Sequence, residues 1–455
     1  MSVSINSQSL PRPAGKSINY RLSLGCLFLL AASLRPSAAA WPGFRGPTGD
    51  GYVSPPGLTN PVGLPLHWSE TENVKWKTPI PLRGWSTPAV MGGQVWLTTA
   101  TEDGHDFFGI CVDAATGKIL FNEKLFHSDN PESLGAAATG NPMNSYATPS
   151  PVIEPGRVYL PFGSYGTACL DTATHKVLWQ RTDLPCAHYR GPSSSPVLFE
   201  NLLILTLDGA DLQYTVALDT RDGHTVWKVD RTTWWNPNPA PGENIKAGDY
   251  HKGHSTPLVL TYAGQPMLLS ADGGGATAYN PRTGDVIWNI HNKDYSPVAV
   301  PVFENGTAYF ESGMGQGEMV AVKADGHGDV TDTKVVWRLK THIGKFASPI
   351  LVNGLLYTAA AESFITCIDA ATGEVVWTER IPGNYQSSPI YGDGRIYFSN
   401  QEGTTTVLKP GRTCEILATN SLPEGFMASP AVSGRALFLR TKASLYRIEA
   451  PAEAR

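Results

Sequence analysis

The 455-residue sequence predicts an all-β fold, an eight-bladed β-propeller, on three observations. A Ser/Thr-Pro dipeptide leading into an apolar strand recurs along the chain. A second signature, small-x-Asp-x-x-Thr-Gly-x-x-x-Trp, recurs in step with it. The composition suits many short strands and turns: 46 Gly, 36 Pro and 12 Trp, with only 16% charged residues against roughly 25% in ordinary soluble domains. These values argue against disorder, coiled coil and helical bundle. A formal charge of −5 argues against a nucleic-acid partner, which needs a basic footprint.

The chain opens on a basic leader. Arg12, Lys16, Arg21 and Arg35 flank the apolar run Leu22 to Leu34, and PSAAA follows. This is the layout of a secretory signal peptide over residues 1–40, and the run is too short to span a bilayer. Cleavage would leave 31 basic and 40 acidic side chains, a charge of −9. Export to the periplasm or beyond is expected, with no transmembrane segment in the mature chain. The five remaining cysteines, Cys111, Cys169, Cys186, Cys367 and Cys414, are too sparse for a disulfide framework and hold no C-x-x-C.

The first signature falls at Thr87-Pro88, Ser150-Pro151, Ser195-Pro196, Thr256-Pro257, Val300-Pro301, Ser348-Pro349, Ser388-Pro389 and Ser429-Pro430. The second reads CVDAATGKILF from Cys111, CLDTATHKVLW from Cys169, ALDTRDGHTVW from Ala217, AYNPRTGDVIW from Ala278 and CIDAATGEVVW from Cys367. A stretched copy spans Ala321 to Trp337, and a degraded one spans Val407 to Leu417. Alternating apolar positions give half-buried strands. Asp-x-x-Thr-Gly gives a tight turn. The closing aromatic needs a neighbouring unit to cover it, so the units must stack.

The last unit, from Ala428 to Ile448, is one strand short. Asn73 to Pro79 (NVKWKTP) is expected to supply that strand and close the ring. Eight blades follow, with seven as the fallback. Residues 41–72 are then an N-terminal extension, 73–449 one propeller and 450–455 a tail. Insertions are expected at Phe126 to Tyr146 and Thr232 to His254.

The repeat with its Ser-Pro strand resembles the tryptophan-docking repeat of eight-bladed quinoprotein (PQQ-like) propellers. WPGFRGPTGDG (Trp41 to Gly51) with NVKWKTPI is similar to the opening of PQQ-like propeller proteins exported by planctomycete-type bacteria. So are DGAD (Asp208 to Asp211), ATNSLPEGFMASPAV (Ala418 to Val432) and FLRTKASLYRIE (Phe438 to Glu449). The resemblance covers Trp41 to Glu449. It implies either a PQQ- and Ca-dependent alcohol or sugar dehydrogenase or a BamB-like scaffold that binds no quinone. The adjacent Cys pair of several quinoprotein dehydrogenases is missing here, and no Glu/Asn/Asp set matches their calcium ligands. PQQ therefore stands as a cofactor by resemblance only. The expected function is a non-catalytic binding or scaffold protein acting through the axial mouth. The dehydrogenase is the alternative, and a lyase or hydrolase at the same mouth a weaker third.

Candidate site residues follow from the repeat. Trp85, Tyr146, Tyr189, His254, Tyr295, Phe346, Tyr385 and Phe426 precede the Ser/Thr-Pro signatures and are expected to converge near the axis at one face. Arg83, Arg190, Lys252 and Lys345 interleave with them. Such a rim would stack a planar or sugar-like ligand, or it would simply pack the inner ring. Asp208, Asp211 and Gln213 form a polar cluster, read as a self-bonded turn or as cation ligands, and Asp272 is similar. His251 and His254 with Asp249 lack a third ligand, so no metal site is expected. Cys111, Cys169 and Cys367 share one repeat position and read as core filler. The partner is a protein, small-molecule or carbohydrate ligand, and a monomer is expected.

Overall fold

The computed structural model describes Met1, Ser4 and residues 40–54, 61–134, 143–232, 250–315, 317–361 and 363–451. Most of the expected leader lies outside them, as do parts of both expected insertions. Eight antiparallel sheets follow one another along the chain, each with its first strand innermost. Blades 1 to 7 span residues 89–127, 152–181, 197–230, 258–291, 302–339, 350–380 and 390–421. Blade 8 takes three strands from 431–448 and its outer strand from Val74–Pro79, which pairs antiparallel with Ser444–Ile448. The fold is the eight-bladed propeller that the repeats predict, closed by the strand they predict. The innermost strands of blades 1 and 8 touch as those of consecutive blades do.

The Ser/Thr-Pro signature is a hydrogen-bonded girdle around the axis. Thr87 N–H donates to Ser150 Oγ (2.9 Å), Ser150 N–H to Ser195 Oγ (2.9 Å), and Ser195 N–H to Thr256 Oγ1 (2.8 Å). Val300 N–H then donates to Ser348 Oγ (2.9 Å), Ser348 N–H to Ser388 Oγ (2.9 Å), and Ser388 N–H to Ser429 Oγ (2.9 Å). Ser429 N–H closes the circle on Thr87 Oγ1 (3.2 Å). A buried amide needs a partner, and each blade takes one from the next. The single break is Val300, which offers Thr256 no oxygen. Val300→Thr should complete the girdle and stabilise the fold by about 1 kcal/mol. The denaturant midpoint reads this out, and a lower midpoint than wild type would refute the girdle's role.

The second signature locks neighbouring blades at their outer ends. The indole N–H groups of Trp76, Trp179, Trp227, Trp288, Trp337 and Trp377 donate to carbonyls in the next blade's turn at 3.0–3.1 Å. Trp76 of blade 8 reaches Ala114 of blade 1, so the lock also closes the ring. The turn glycine is where the indole lands: a Cβ on Gly223 would sit 2.7 Å from Trp179, and its φ is +77°. Blade 1 ends in Phe121 instead of Trp, and the turn it meets carries His175 instead of Gly. The two rings lie 5.5 Å apart, the larger turn residue filling the space the smaller aromatic leaves. The extra residues of the stretched copy form Gly328–Asp329, a short parallel strand on the outer edge of blade 4. Covered sheet edges resist stray pairing.

Residues 41–53 form a strap across the floor of the axis. Trp41 and Val90 of blade 1 exchange backbone hydrogen bonds (2.8 and 2.7 Å), and Ile153 N–H of blade 2 donates to Pro42 O (2.7 Å). Further on, Tyr391 of blade 7 bonds Gly51 and Val53 (both 2.9 Å), and Tyr52 Oη donates to Leu351 O of blade 6 (2.7 Å). Arg45, buried at 2% exposure, donates to Pro389 O (2.7 Å), Pro349 O (2.8 Å) and Asp50 O (2.6 Å). Burial lowers its pKa to about 10, which leaves it charged at neutral pH.

The nearby Glu311 is also buried, its Oε1 accepting from Thr358 Oγ1 (2.7 Å) while Oε2 has no partner among the described residues. Burial pushes its pKa from 4.5 up to about 8, outweighing Thr358 and Arg45. The folded chain thus holds this proton more tightly than the unfolded chain. The resulting stabilisation is complete below pH 4.5 and is lost as pH rises through about 8. Asp208, raised by burial to about 7, adds a contribution of the same sign. Above about pH 6.5, where the buried His188 and His254 no longer oppose it, stability should therefore fall toward pH 8, and Glu311→Gln should flatten that decline. Chemical denaturation across the range tests this; an unchanged slope would contradict it.

Candidate functional site at the axial mouth

Each girdle residue lies two residues before its innermost strand, on the extended segment that leads in from the interblade loop, and the strand ends at the first hairpin. Side chains two residues before the girdle share its face by strand periodicity. They are Trp85, Thr148, Ser193, His254, Val298, Phe346, Gln386 and Met427, and with the girdle hydroxyls they line an axial cavity of about 90 Å³. Phe44 of the strap also lines it. The strap thus bounds the axis at one end, and the interblade loops surround it at the other.

A larger cavity of about 290 Å³ opens among the loops of blades 2 to 6. Its walls include Arg190, Lys252, His254, Tyr295, Phe346 and Met314. The Lys252 ammonium lies 4.5 Å from the Tyr189 ring centre, and the Arg190 guanidinium lies 5.5 Å from the same ring. Lys345 Nζ donates to Gly315 O (3.0 Å) at the rim. Burial lowers the His254 pKa to about 3, with Lys252, His188 and Arg190 adding to the shift, so the imidazole is neutral. No carboxylate side chain lines this cavity among the described residues. Its field is set by cations over aromatic faces.

The structure brings together part of the predicted rim. Trp85, His254 and Phe346 line the axial cavity, and Arg190, His254, Tyr295 and Phe346 line the larger one. Tyr189 stands behind them as the ring on which both cations stack. Three residues lie elsewhere. Tyr146 is buried edge-on to Phe107, its hydroxyl donating to Glu132 O (2.7 Å). Tyr385 is buried against Phe398 with its hydroxyl on Ile381 O (3.2 Å), and Phe426 belongs to the core of blades 7 and 8. Tyr385 and Phe426 sit three residues before the girdle, so strand alternation turns them away. Tyr146 sits four before, already in the loop. The missed lining residues, Thr148, Ser193, Val298, Gln386 and Met427, follow from one rule: a fixed offset of two, whatever the side chain.

The predicted polar cluster does not converge. Asp208 lies 2.7 Å from Arg231 Nε, and Arg231 Nη1 lies 3.2 Å from Asp272, all three nearly inaccessible. Asp211 Oδ1 accepts the Ala187 and Leu212 amides (both 2.7 Å), and Gln213 Nε2 donates to Gly209 O (2.8 Å). Asp211 sits in the bend between the second and third strands of blade 3, and Gln213 opens the third strand. Asp249 lies outside the described residues. The groups of three or more potential ligands among the described residues reduce to Asp219, Asp222 and His224, on a surface turn.

The reactive side chains near the mouth are held inert. Cys186 Sγ lies 3.8 Å from His188 Nδ1, but His188 Nε2 accepts the Ser164 amide (2.9 Å). Nδ1 therefore carries the proton and cannot act as a base toward the thiol. Burial raises the Cys186 pKa and lowers that of His188 to about 4. Cys111, Cys169 and Cys367 are buried, with thiols pushed up to about 12, 12 and 11.

A quinone with its calcium does not fit this donor set. Among the described carboxylates nearby, Asp294 is spent, accepting from Tyr295 N, Gly315 N, Gly317 N and Ser312 Oγ, and Glu132 Oε2 accepts from Tyr189 N. Asn144 Oδ1, the atom a hard cation would need, accepts from Ser145 N–H (2.9 Å) and Thr148 Oγ1, while Nδ2 donates to the carbonyls of Arg190, Gly191 and Pro192. A hard cation needs several free oxygen ligands, and among the described residues the wall of the mouth carries no carboxylate.

The family model described as outer membrane protein assembly factor BamB matches residues 68–233 and 216–452. Tetrathionate hydrolase of Acidithiobacillus ferrooxidans is 23% identical over 203 residues, 41% of this chain and 38% of that protein. The dehydrogenase subunit of the quinone alcohol dehydrogenase of Gluconacetobacter polyoxogenes is 26% identical over 108 residues, 21% of this chain and 15% of that protein. The chain thus spans well under half the length of these relatives. BamB from Moraxella catarrhalis superposes with a TM-score of 0.55 at 12% identity, covering 82% of this chain and 99% of that one. The quinohemoprotein alcohol dehydrogenase of Comamonas testosteroni gives 0.63 at 11%, covering 92% and 82%. At these identities the structures speak for the fold alone.

Proposed function

The chain belongs to the PQQ-like β-propeller family of the assembly factor BamB, and we propose that it works as an exported, non-catalytic binding protein. Its ligand or partner group enters the axial mouth. The observation that carries this reading is the loop cavity, whose wall among the described residues holds Arg190 and Lys252 beside the Tyr189 ring and no carboxylate side chain. Such a site favours a small anionic group backed by an apolar or ring-shaped body. The basic leader with its short apolar run supports export.

The test is a calorimetric panel of sulfate, tetrathionate, galacturonate and succinate against wild type, Arg190→Ala and Lys252→Met. At least one anion should bind, and each variant should weaken it about tenfold or more. Equal binding by both variants, or none by wild type at millimolar anion, would contradict the reading. Cell fractionation should find the mature chain outside the cytoplasm.

A further inference from the structure

The strap suggests a second binding surface at the end of the axis away from the mouth. In each blade the residue three positions after the girdle residue has its backbone N–H and C=O directed toward the axis. This follows from the register: in blade 3, Phe199 and Leu202 close a two-residue turn, so the Leu198–Leu203 pair is not hydrogen-bonded within the sheet. The equivalent residues are Val90, Ile153, Leu198, Val259, Phe303, Leu351 and Tyr391 in blades 1 to 7.

The strap uses this row blade by blade. Trp41 bonds Val90, Pro42 accepts from Ile153, Tyr52 donates to Leu351, and Gly51 and Val53 bond Tyr391. Across blades 3, 4 and 5 it leaves the row alone. Among the described residues neither Leu198, Val259 nor Phe303 makes a backbone bond outside its own sheet. There the strap turns away through residues 46–50, and a cavity of about 470 Å³ lies between it and the strands. Its lining is mainly apolar and includes Val197, Leu198, Val259, Leu260, Phe303 and Phe44, all half-buried.

We propose that this groove binds a short extended segment of a partner polypeptide, with apolar side chains. Such a segment would continue the strap's interface onto blades 3 to 5. Main-chain hydrogen bonds to an open strand edge give affinity, and apolar pockets between blades give selectivity. The continuity is specific. The same backbone row is read by the strap on blades 1, 2, 6 and 7; among the described residues Val432 of blade 8 also has no such bond but is buried, whereas blades 3 to 5 carry the large apolar cavity. The surface is separate from the mouth and independent of what binds there.

The probe is a fluorescein-labelled peptide, Ac-Lys-Val-Phe-Val-Leu-Lys-NH2, titrated with wild-type protein by anisotropy. A second peptide of the same sequence carries N-methyl groups on alternate amides. We expect saturable binding of the first, weakened at least about tenfold by N-methylation. Leu198→Ser and Phe303→Ser should weaken it similarly, with a cooperative melt confirming that each variant is folded, since both side chains are only half-buried. Arg190→Ala should leave it unchanged. Three results would overturn the proposal: no binding at millimolar protein, binding indifferent to N-methylation, or full competition by octanoate with no dependence on peptide amides. The last would make the groove an acyl-chain site.

Discussion

Trp288→Ala is expected to cost about 3–5 kcal/mol of stability, the range for removing a fully buried large aromatic. Trp288 has no exposed surface, packs edge-on to Phe310 of blade 5 and donates its indole N–H to Ala324 O (3.1 Å). Truncation would leave a cavity between blades 4 and 5 and an unpaired carbonyl. A repeat fold is held by the interfaces between neighbours, so damage at one interface should also open the blades beside it. Hydrogen exchange should show lost protection in blades 4 and 5 ahead of the rest. A loss below about 1 kcal/mol would mean that the tryptophan lock is dispensable.

Arg45→Met should be nearly as damaging, at about 3–4 kcal/mol. Three carbonyls, those of Pro389, Pro349 and Asp50, would lose a charged donor inside the protein. Bonds to charged groups contribute about 1.5–3 kcal/mol each, and buried acceptors left without partners carry the desolvation cost. The apolar Met stem limits the loss by filling part of the volume. The strap should loosen before the blades do, so limited proteolysis should cut within residues 41–53 while the melting transition remains cooperative. Cleavage in the blades first, or wild-type resistance at the strap, would show that Arg45 does not anchor it.

Much of this architecture was legible in the sequence, because repetition exposes geometry. The Ser/Thr-Pro offsets marked the innermost strands, the Asp-x-x-Thr-Gly turns marked the outer ones, and Trp76 marked the strand that closes blade 8. The hydroxyl girdle was also present in the letters, yet its meaning needs the ring: no spacing along the chain says that Ser429 meets Thr87. The mouth was partly legible. Searching for the nearest aromatic found Trp85, His254 and Phe346 but also picked Tyr146, Tyr385 and Phe426, which fall out of phase and fill the blades. Hydroxyl, amide and thioether side chains at the correct offset carry no signal of their own. Asp208 illustrates the other limit, since its partner Arg231 lies in the segment after its blade and only the fold places the two together.

On the proposed reading the mouth binds by cation and aromatic contacts and performs no quinone chemistry. The most direct measurement is a titration of PQQ, a tricarboxylate, into wild type and Arg190→Ala with and without Ca²⁺, followed by dye-linked oxidation of ethanol and glucose. Any binding should be calcium-independent, lost in Arg190→Ala and without turnover. Calcium-dependent binding accompanied by alcohol or sugar oxidation would contradict the account.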